Sequence, residues 1–188
     1  MEGMKIVPST PKTALKKSFI TNWILPIIIA FIISLVIKEF LLFVAYIPSS
    51  SMHPALKVGD TLLITRIYNE KTIHRGDILV FHSKEKSENM VKRVIGLPYD
   101  VIEILKGNVY INGELYPEEY IEDSKDSLAD QEEYSGKFQV PEGKYLFLGD
   151  NRSNSLDSRY WTDKYIAFED IQGKARLIIF PFSNFTIF

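Results

Sequence analysis

The clearest feature of the hydropathy pattern is a nearly unbroken apolar stretch close to the start of the chain. Residues 19–37 are apolar apart from Thr21, Asn22 and Ser34. At a rise of about 1.5 Å per residue, a helix over this stretch is about 28 Å long, close to the thickness of the hydrocarbon core of a bilayer. The pattern therefore predicts one transmembrane helix, which we place at residues 19–38.

The charges before this helix predict its orientation. Lys12, Lys16 and Lys17 precede it, and basic residues are retained on the cytoplasmic side of a membrane helix. Residues 1–18 are therefore predicted to be a cytoplasmic tail, and residues 39–188 an extracytoplasmic domain at the plasma membrane. A cleaved signal peptide is the alternative, but it needs an apolar core of about 7–15 residues and a small-x-small cleavage site, and the stretch fits neither criterion.

After the helix, the pattern changes to short runs rich in β-branched and aromatic residues, which are typical of strands. A run at residues 40–47 either extends the helix or forms a first strand. The other predicted strands lie at residues 61–67, 77–81, 90–95, 101–105, 109–111, 144–148 and 174–180. Asn112-Gly113 is a strong hairpin signal between two of the runs. The predicted fold is a mostly β ectodomain of antiparallel sheets, preceded by one transmembrane helix.

One segment of the ectodomain departs from this pattern. Acidic residues dominate residues 118–133, where Lys125 is the single basic residue. A charge run of this kind is usually solvated and mobile, so we predict an acidic insertion at about residues 117–135. A charged site for a partner is the alternative interpretation.

Composition agrees with one anchored globular domain. The chain has 188 residues, which leaves room for a single modest domain after the helix. The net charge of −2, from 22 basic and 24 acidic side chains, offers no footprint for nucleic acid. Because the chain contains no cysteine, an exported domain must be held together without disulfides.

Ser51 and Lys92 are the residues that suggest a chemistry. A serine hydroxyl is a poor nucleophile until a base accepts its proton, and a lysine can be that base once it is neutral. The pKa of lysine is ordinarily about 10.4, and full burial lowers it by up to about 3–5 pH units. Apolar residues flank Lys92, so an alternating strand would direct it into an apolar site. A solvated surface lysine is the alternative.

The three histidines offer no comparable chemistry. His53 follows Ser51 by two positions and is the alternative base, but the sequence supplies no acid to orient it as a catalytic triad requires. His74 and His82 flank a predicted strand and fit its solvated ends. The chain has no His-Glu-x-x-His or similar paired spacing, so we expect neither a metal nor another cofactor.

Four blocks of the sequence resemble the motifs of type I signal peptidases, the membrane-bound serine-lysine proteases that cut leader peptides from exported proteins. In chain order they are PSSSMHP at 48–54, RGDILVF at 75–81, KRVIGLP at 92–98 and GDNRSNSLDSRYW at 149–161. The short ectodomain with one anchor is most similar to the Gram-positive members. Ala55 stands where the family usually has threonine, and Tyr99 where it commonly has glycine. A positive φ at Tyr99 would strain that turn.

The resemblance implies catalytic roles for four residues. Ser51 matches the nucleophile and Lys92 the general base. The hydroxyl of Ser49 is expected to join the backbone N–H of Ser51 in an oxyanion hole, and capping a turn is its alternative role. Ser155 matches the serine that hydrogen-bonds and orients the lysine amine, and a turn position is the alternative.

Four more residues are assigned to the structure around the site: Met52, Arg93, Asp157 and Arg159. Asp157 and Arg159 match a supporting ion pair, and at a spacing of two on a strand they would share a face. We expect an exposed pair of this kind to contribute only about 0–1 kcal/mol.

Together these observations predict a single-pass membrane endopeptidase with a signal-peptidase-like fold. An acyl-enzyme on Ser51 would be hydrolysed by a water that Lys92 deprotonates. The resemblance implies preprotein substrates of the Ala-x-Ala pattern, docked as a strand so that alternate side chains enter the enzyme. The lipid bilayer is the other expected partner. A self-cleaving serine-lysine protease and a catalytically inactive, membrane-tethered binding module are the alternatives.

Overall fold

The computed structural model describes residues 20–121 and 134–188, and the chain forms two compact units, Met1–Leu41 and Leu42–Phe188. In the first unit, a π-helical turn at Ile20–Ile24 leads into helix α1, Leu25–Phe40. Together, the turn and α1 give a helical segment, Thr21–Phe40, that is long and apolar enough to cross a membrane. It ends two residues beyond the predicted boundary, because Lys38 and Glu39 are good helix formers and continue it.

The second unit is built from antiparallel strands. Those of the larger sheet are β1 Leu42–Tyr46, β2 Thr61–Arg66, β3 Ile78–Ser83, β4 Glu88–Gly96, β9 Lys144–Leu148, β10 Ile166–Ala167, β11 Ile171–Phe180 and β12 Thr186–Ile187. Those of the smaller sheet are β5 Val101–Leu105, β6 Asn108–Ile111, β7 Glu114–Leu115 and β8 Gly136–Gln139. In the described residues, the larger sheet runs β1-β2-β11-β3-β4-β9-β10, with β12 on β11, and the smaller runs β7-β6-β5-β8.

The strands largely follow the hydrophobic runs, which confirms the mostly β prediction. Most of the run at residues 40–47 forms β1, and only Phe40 extends the helix. Four strands were not predicted, namely β7, β8, β10 and β12. Three of these contain only two residues, too few for an alternating pattern to be recognised. Strand β8 pairs with β5 through residues that follow the acidic segment.

Strand β11 also begins earlier than its predicted start at residue 174. Gly173 explains the difference, because glycine in a strand usually indicates a bulge or a close approach of another backbone. A Cβ at Gly173 would lie 2.5 Å from the carbonyl oxygen of Thr65 and 2.6 Å from Cγ2 of Ile64. The glycine therefore lets β11 lie against β2 instead of ending the strand.

Two features of the packing position the candidate site. Met52, the residue after Ser51, is 1% exposed and lies in a core cluster with Leu56 and Ile64. A second cluster, formed with residues of the smaller sheet, contains Leu148, the last residue of β9 before the loop at residues 149–154. Both chain segments next to the site are therefore anchored in the hydrophobic core.

The turn between β4 and β5 contains Tyr99 in the left-handed region, with a φ of 73°. Its side chain is 68% exposed, so little packing offsets the steric cost of this conformation, about 1–3 kcal/mol for a residue other than glycine. The turn is held by a hydrogen bond from the Tyr99 N–H to the carbonyl oxygen of Val140, at 2.9 Å. The strain expected at this position is therefore present.

Candidate active site

Ser51 and Lys92, 41 residues apart in the chain, meet beside strand β4 of the larger sheet. Ser51 lies in the turn that follows β1, and Lys92 lies in β4, paired with Leu79 of β3. Because side chains alternate along a strand, Lys92 and its neighbour Arg93 point to opposite faces. The Nζ atom of Lys92 is 2.5 Å from Oγ of Ser51, so a proton can pass directly between the two groups.

The environment of Lys92 favours its neutral form. The residue is 4% exposed, and its burial lowers the pKa of the amine to about 8. The negative charges of Asp157, Asp150 and Glu88 oppose this shift and raise the pKa, while Arg159 lowers it. Burial is the largest effect, so a substantial fraction of Lys92 is a free base at mildly alkaline pH.

Ser49 lies beside this pair. Its hydroxyl oxygen is 3.3 Å from Oγ of Ser51, and the residue is exposed. A hydroxyl at this place can reach an oxygen that develops charge next to Ser51, as an oxyanion hole requires. The geometry is compatible with the predicted role, and the role stays a prediction.

Ser155 is close to Ser51 but does not make the expected contact with Lys92. The residue is 6% exposed, and within the described parts of the chain its Oγ has no hydrogen-bond partner. It packs instead against Gly149, next to the carbonyl oxygen of Ser51. Its role in orienting the lysine amine therefore also stays a prediction.

Gly149 is a sterically constrained position beside Ser51 that the sequence did not single out, although it begins the longest motif. A Cβ at Gly149 would lie 2.1 Å from Oγ of Ser155 and 2.5 Å from the carbonyl oxygen of Ser51. These distances are far shorter than any allowed contact, so the backbone around Ser51 can approach this loop only because residue 149 has no side chain. No local pattern signals such a requirement, since it depends on Ser51 in a distant part of the chain.

Gly149→Ala is expected to lower kcat by about 100-fold for the peptide-bond cleavage that the sequence predicts, because the added methyl group must displace Ser51 or Ser155 and small displacements of reacting groups are costly. Steady-state kinetics of the full chain in detergent would measure this. Gly113→Ala is the matched control: Gly113 has a φ of 89°, but a methyl group added there would lie more than 4 Å from the surrounding described atoms. The control should lose stability but keep its kcat, and wild-type kcat in Gly149→Ala would contradict the argument.

Two arginine-carboxylate pairs lie behind the site. Arg93 binds Asp150 with two hydrogen bonds, of 2.8 Å and 2.6 Å, and also donates to the carbonyl oxygen of Gly76 at 2.7 Å. Arg159 binds Asp157 in the same way, with bonds of 2.8 Å and 3.0 Å. Paired hydrogen bonds of this kind fix both distance and orientation. They hold the loop at residues 149–159 rigidly next to Ser51.

The expectation of an exposed Asp157–Arg159 pair on a strand is wrong. The two residues lie in a loop and are 0% and 5% exposed. Burial follows from what they bind: Asp157 accepts a hydrogen bond from the Gly149 N–H at 2.9 Å, and Arg159 donates to the carbonyl oxygen of Arg152 at 2.7 Å. A buried pair is costly to break, so the small contribution of an exposed pair does not apply.

The acidic segment is also only partly as predicted. Residues 122–133 lie outside the described residues. Glu118, at the start of the segment, is not solvated: its side chain is 8% exposed and forms an ion pair with Arg152. The sequence pattern could not distinguish this carboxylate from its acidic neighbours, because its partner lies 34 residues away.

A cleft of about 250 Å³ opens at Ser51 and Lys92 and is lined by residues 46–49, 51–52 and 88–92. Residues 88–92 of β4 pair with β3 on one edge, whereas β9 pairs only with the later part of β4. In the described parts of the chain, the other edge of residues 88–92 thus has no strand partner. A free strand edge in a cleft is suited to binding an extended peptide by β-strand addition.

The histidines do not complete an alternative site. His74 is exposed and lies 4.0 Å from a carboxylate oxygen of Asp77, and His82 contacts the side chain of Asn89 at 3.1 Å. His53 is exposed in the turn after Ser51, where its backbone N–H donates to the carbonyl oxygen of Ser50. Among the described residues, no group of carboxylates and histidines is arranged to hold a metal ion.

A serine hydroxyl that contacts a buried lysine, beside a cleft with a free strand edge, defines the class of the protein as a hydrolase with a lysine-activated serine. The sequence profile of the family described as signal peptidase, peptidase S26, matches residues 20–180. The chain belongs to this family, as its four sequence blocks predicted.

Several curated proteins are similar over nearly the whole chain. Signal peptidase I P of Bacillus subtilis subsp. natto is 37% identical over 171 residues, which cover 88% of this chain and 92% of the relative. Signal peptidase I T of Bacillus subtilis strain 168 is 35% identical over 183 residues, 94% of each chain. A crystal structure of a signal peptidase I from Enterococcus faecalis V583 covers 56% of this chain and 98% of its own, with 33% identity and a TM-score of 0.48.

These relatives confirm the function predicted from the sequence. The protein is a serine endopeptidase that processes preproteins by removing their signal peptides. The similarity and the apolar helix at Thr21–Phe40 also establish it as a membrane protein. An inactive binding module and a self-cleaving protease are not favoured.

Proposed function

We propose that Ser51 is the nucleophile and Lys92 the general base of this signal peptidase. The observation that carries the proposal is the 2.5 Å contact between Ser51 Oγ and the Nζ of a lysine whose burial lowers its pKa to about 8. Neutral Lys92 takes the hydroxyl proton as Oγ attacks the scissile carbonyl carbon. The same lysine then gives that proton to the leaving amine, which leaves an acyl-enzyme on Ser51.

The second half of the reaction uses the same two groups. Once the leaving segment departs, Lys92 is neutral again and accepts a proton from a water molecule. The resulting hydroxide attacks the acyl carbonyl, and Ser51 leaves as its hydroxyl after taking back the proton from Lys92. One base that accepts and returns one proton in each half of the reaction therefore serves both steps.

Two further serines support this chemistry in our proposal. The hydroxyl of Ser49, at 3.3 Å from Ser51 Oγ, donates to the oxyanion together with the backbone N–H of Ser51, and one such donor is worth about 2.7–4 kcal/mol of transition-state stabilisation. The buried Oγ of Ser155, which has no partner among the described residues, provides a hydrogen bond to the lysine amine when that amine changes its protonation state.

The proposed substrates are preproteins with small residues at the first and third positions before the cut. The free edge of residues 88–92 supports docking of the substrate as a strand, in which alternate side chains point to the same side. A cleft of about 250 Å³ must hold these side chains together with the reacting peptide. Small side chains such as alanine are therefore favoured at the two positions that face it.

We further propose that the helix at Thr21–Phe40 anchors the protein in the plasma membrane with its N-terminus in the cytoplasm. The basic residues Lys12, Lys16 and Lys17 before the helix support this orientation. The residues that follow the helix then form the extracytoplasmic catalytic domain, and preproteins are cut on the side to which they are exported.

Replacing Ser51 tests the proposed nucleophile. Ser51→Ala in detergent or liposomes is expected to lower kcat for preprotein cleavage by at least about 1000-fold, and a serine-directed acylating inhibitor should add its mass to Ser51 of the wild type only. Ser183→Ala, at an exposed serine near the end of the chain, is the control and should cleave and be labelled normally. Cleavage by Ser51→Ala at the wild-type rate, or an inhibitor adduct on another residue, would contradict the proposal.

A further inference from the structure

A third buried ion pair lies behind the site. It links the loop at residues 149–154, which contacts Ser51, to the segment that follows strand β7. The side chains of Arg152 and Glu118 are 3% and 8% exposed and are in direct contact. Arg152 begins the short 3-10 turn Arg152–Asn154, immediately after Gly149, Asp150 and Asn151. Glu118 follows strand β7 of the smaller sheet.

The loop that contains Arg152 holds the backbone of the nucleophile turn. The Asn151 N–H donates to the carbonyl oxygen of Ser51 at 3.1 Å, and the Asn151 side chain donates to that of Ser50 at 3.2 Å. Arg152 braces this loop from within, because its Nε donates to the carbonyl oxygen of Gly149 at 3.0 Å. The position of the Arg152 guanidinium therefore bears on the position of Ser51.

Glu118 is the carboxylate that allows this guanidinium to be buried. Asp150 is bound by Arg93, and Asp157 by Arg159. Within the described residues, Glu118 is the carboxylate that forms an ion pair with Arg152. A buried cation without a partner is strongly disfavoured, so loss of the Glu118 charge would draw Arg152 towards solvent and away from Gly149.

The segment around Glu118 touches the loop a second time. The Tyr120 hydroxyl donates to the same Glu118 oxygen at 2.5 Å, and its ring centroid lies 3.9 Å from the Arg93 guanidinium carbon. Arg93 in turn holds Asp150. Glu118 and Tyr120 thus contact Arg152 and Arg93, the two arginines that hold the loop. Because Tyr120 also binds Glu118, the Glu118 carboxylate has little freedom to follow Arg152 if that side chain moves.

We propose that Glu118 is a positioning residue for peptide cleavage, acting through Arg152 on the loop at residues 149–154 that holds Ser51. This inference rests on the proposed catalytic role of Ser51. Glu118 is not among the residues that line the cleft. Its loss should therefore reduce kcat and leave KM for the preprotein nearly unchanged. Because partial unfolding also lowers the apparent kcat at an unchanged KM, Tm is needed to show that the variant is folded at the assay temperature.

The test uses the full chain in detergent, with kcat, KM and Tm measured for each variant. Glu118→Ala is expected to lower kcat by about tenfold or more, since misplacement of reacting groups is costly, with KM within about twofold of wild type. Glu118→Gln removes the charge but keeps a hydrogen-bond acceptor, and it should lose less; it decides the question if Glu118→Ala does not fold. The matched control is Glu119→Gln, the same charge change at the neighbouring residue, and it should remain at wild-type kcat.

A double-mutant comparison shows whether Glu118 acts through Arg152. In an Arg152→Met background, Glu118→Ala should lower kcat by less than about twofold further, because the guanidinium it positions is gone. Full additivity of the two effects would overturn the inference. So would wild-type kcat in folded Glu118→Gln, or a loss of kcat that disappears when the assay temperature is lowered well below Tm.

Ser51→Ala, assayed on the same substrate, separates this inference from the proposed function. An active Ser51→Ala enzyme would remove the proposed function, and the present inference with it. An inactive Ser51→Ala enzyme together with fully active Glu118 variants would leave the proposed function standing and reject only the role of Glu118.

Discussion

Lys92→Met is expected to lower kcat for preprotein cleavage by at least about 1000-fold, because Lys92 is the basic group in contact with the Ser51 hydroxyl. Lys92→Arg should be equally inactive, although it preserves a positive charge, since a guanidinium does not give up its proton in proteins. Initial rates on a purified preprotein, at matched protein amounts, would measure both losses. Cleavage at the wild-type rate by Lys92→Met would mean that the base lies elsewhere, with exposed His53 as the next residue to replace.

The pH dependence of the wild type checks the same role without a substitution. In the proposed mechanism neutral Lys92 is the active form, so kcat/KM should rise with pH along a limb centred near 8, the value to which burial lowers the pKa. An ordinary surface lysine would place this limb near about 10.4. A limb at the higher value would contradict the proposed base.

The lowered pKa also predicts that Lys92→Met is more stable than the wild type at neutral pH. Stability is lost as the pH falls from about 10.4, the unfolded value, through the folded value of about 8. Below pH 8 the full penalty is present, and a difference of about 2.4 pH units corresponds to about 3 kcal/mol. Thermal unfolding at about pH 7 and about pH 10.5 would test the sign, since the advantage of Lys92→Met should shrink at the higher pH.

Asp157→Ala is expected to lower the free energy of unfolding by about 3–5 kcal/mol, because it leaves the Arg159 guanidinium buried without its carboxylate. It also removes the acceptor of the Gly149 N–H. Denaturant unfolding of the full chain in detergent would measure the loss.

The control for this prediction is Glu169→Ala, which breaks an exposed pair with Lys84 at 3.9 Å and should cost no more than about 1 kcal/mol. A similarly small loss in Asp157→Ala would show that the Asp157–Arg159 pair behaves like an exposed one. A second readout is the pH limb: Asp157 raises the pKa of Lys92, so any activity left in Asp157→Ala should show a limb at lower pH than the wild type.

The strands show why prediction from the sequence succeeded where it did. The runs at residues 101–105 and 144–148 coincide with β5 and β9, because both strands bury one or both faces and their residue types must reflect it. Strands β10 and β12 have two residues each and are formed by pairing with β9 and β11. Their own residues carry no such pattern, so only the assembled sheet specifies them.

The candidate site shows the same division. The motifs in the sequence named Ser51, Ser49, Lys92 and Ser155, and the structure brings the Ser51 hydroxyl within hydrogen-bond distance of both Ser49 and Lys92. The burial of the Asp157–Arg159 pair was misjudged, because a spacing of two says which residues are neighbours but not what covers them. The constraint at residue 149 was overlooked, because it arises from Ser51 and Ser155 on either side of the glycine.

The sequence by itself determined the apolar helix, the mostly β domain, the family and the residue types from which a lysine-activated serine can be built. These properties depend on composition and on patterns within short segments, and both can be recognised from the sequence. The tertiary structure decided the 2.5 Å contact of Ser51 with Lys92, the lowered pKa of that lysine, the close approach at Gly149 and the ion pair between Glu118 and Arg152. Each of these depends on burial and on contacts between segments far apart in the chain, and such contacts exist only once the chain has folded.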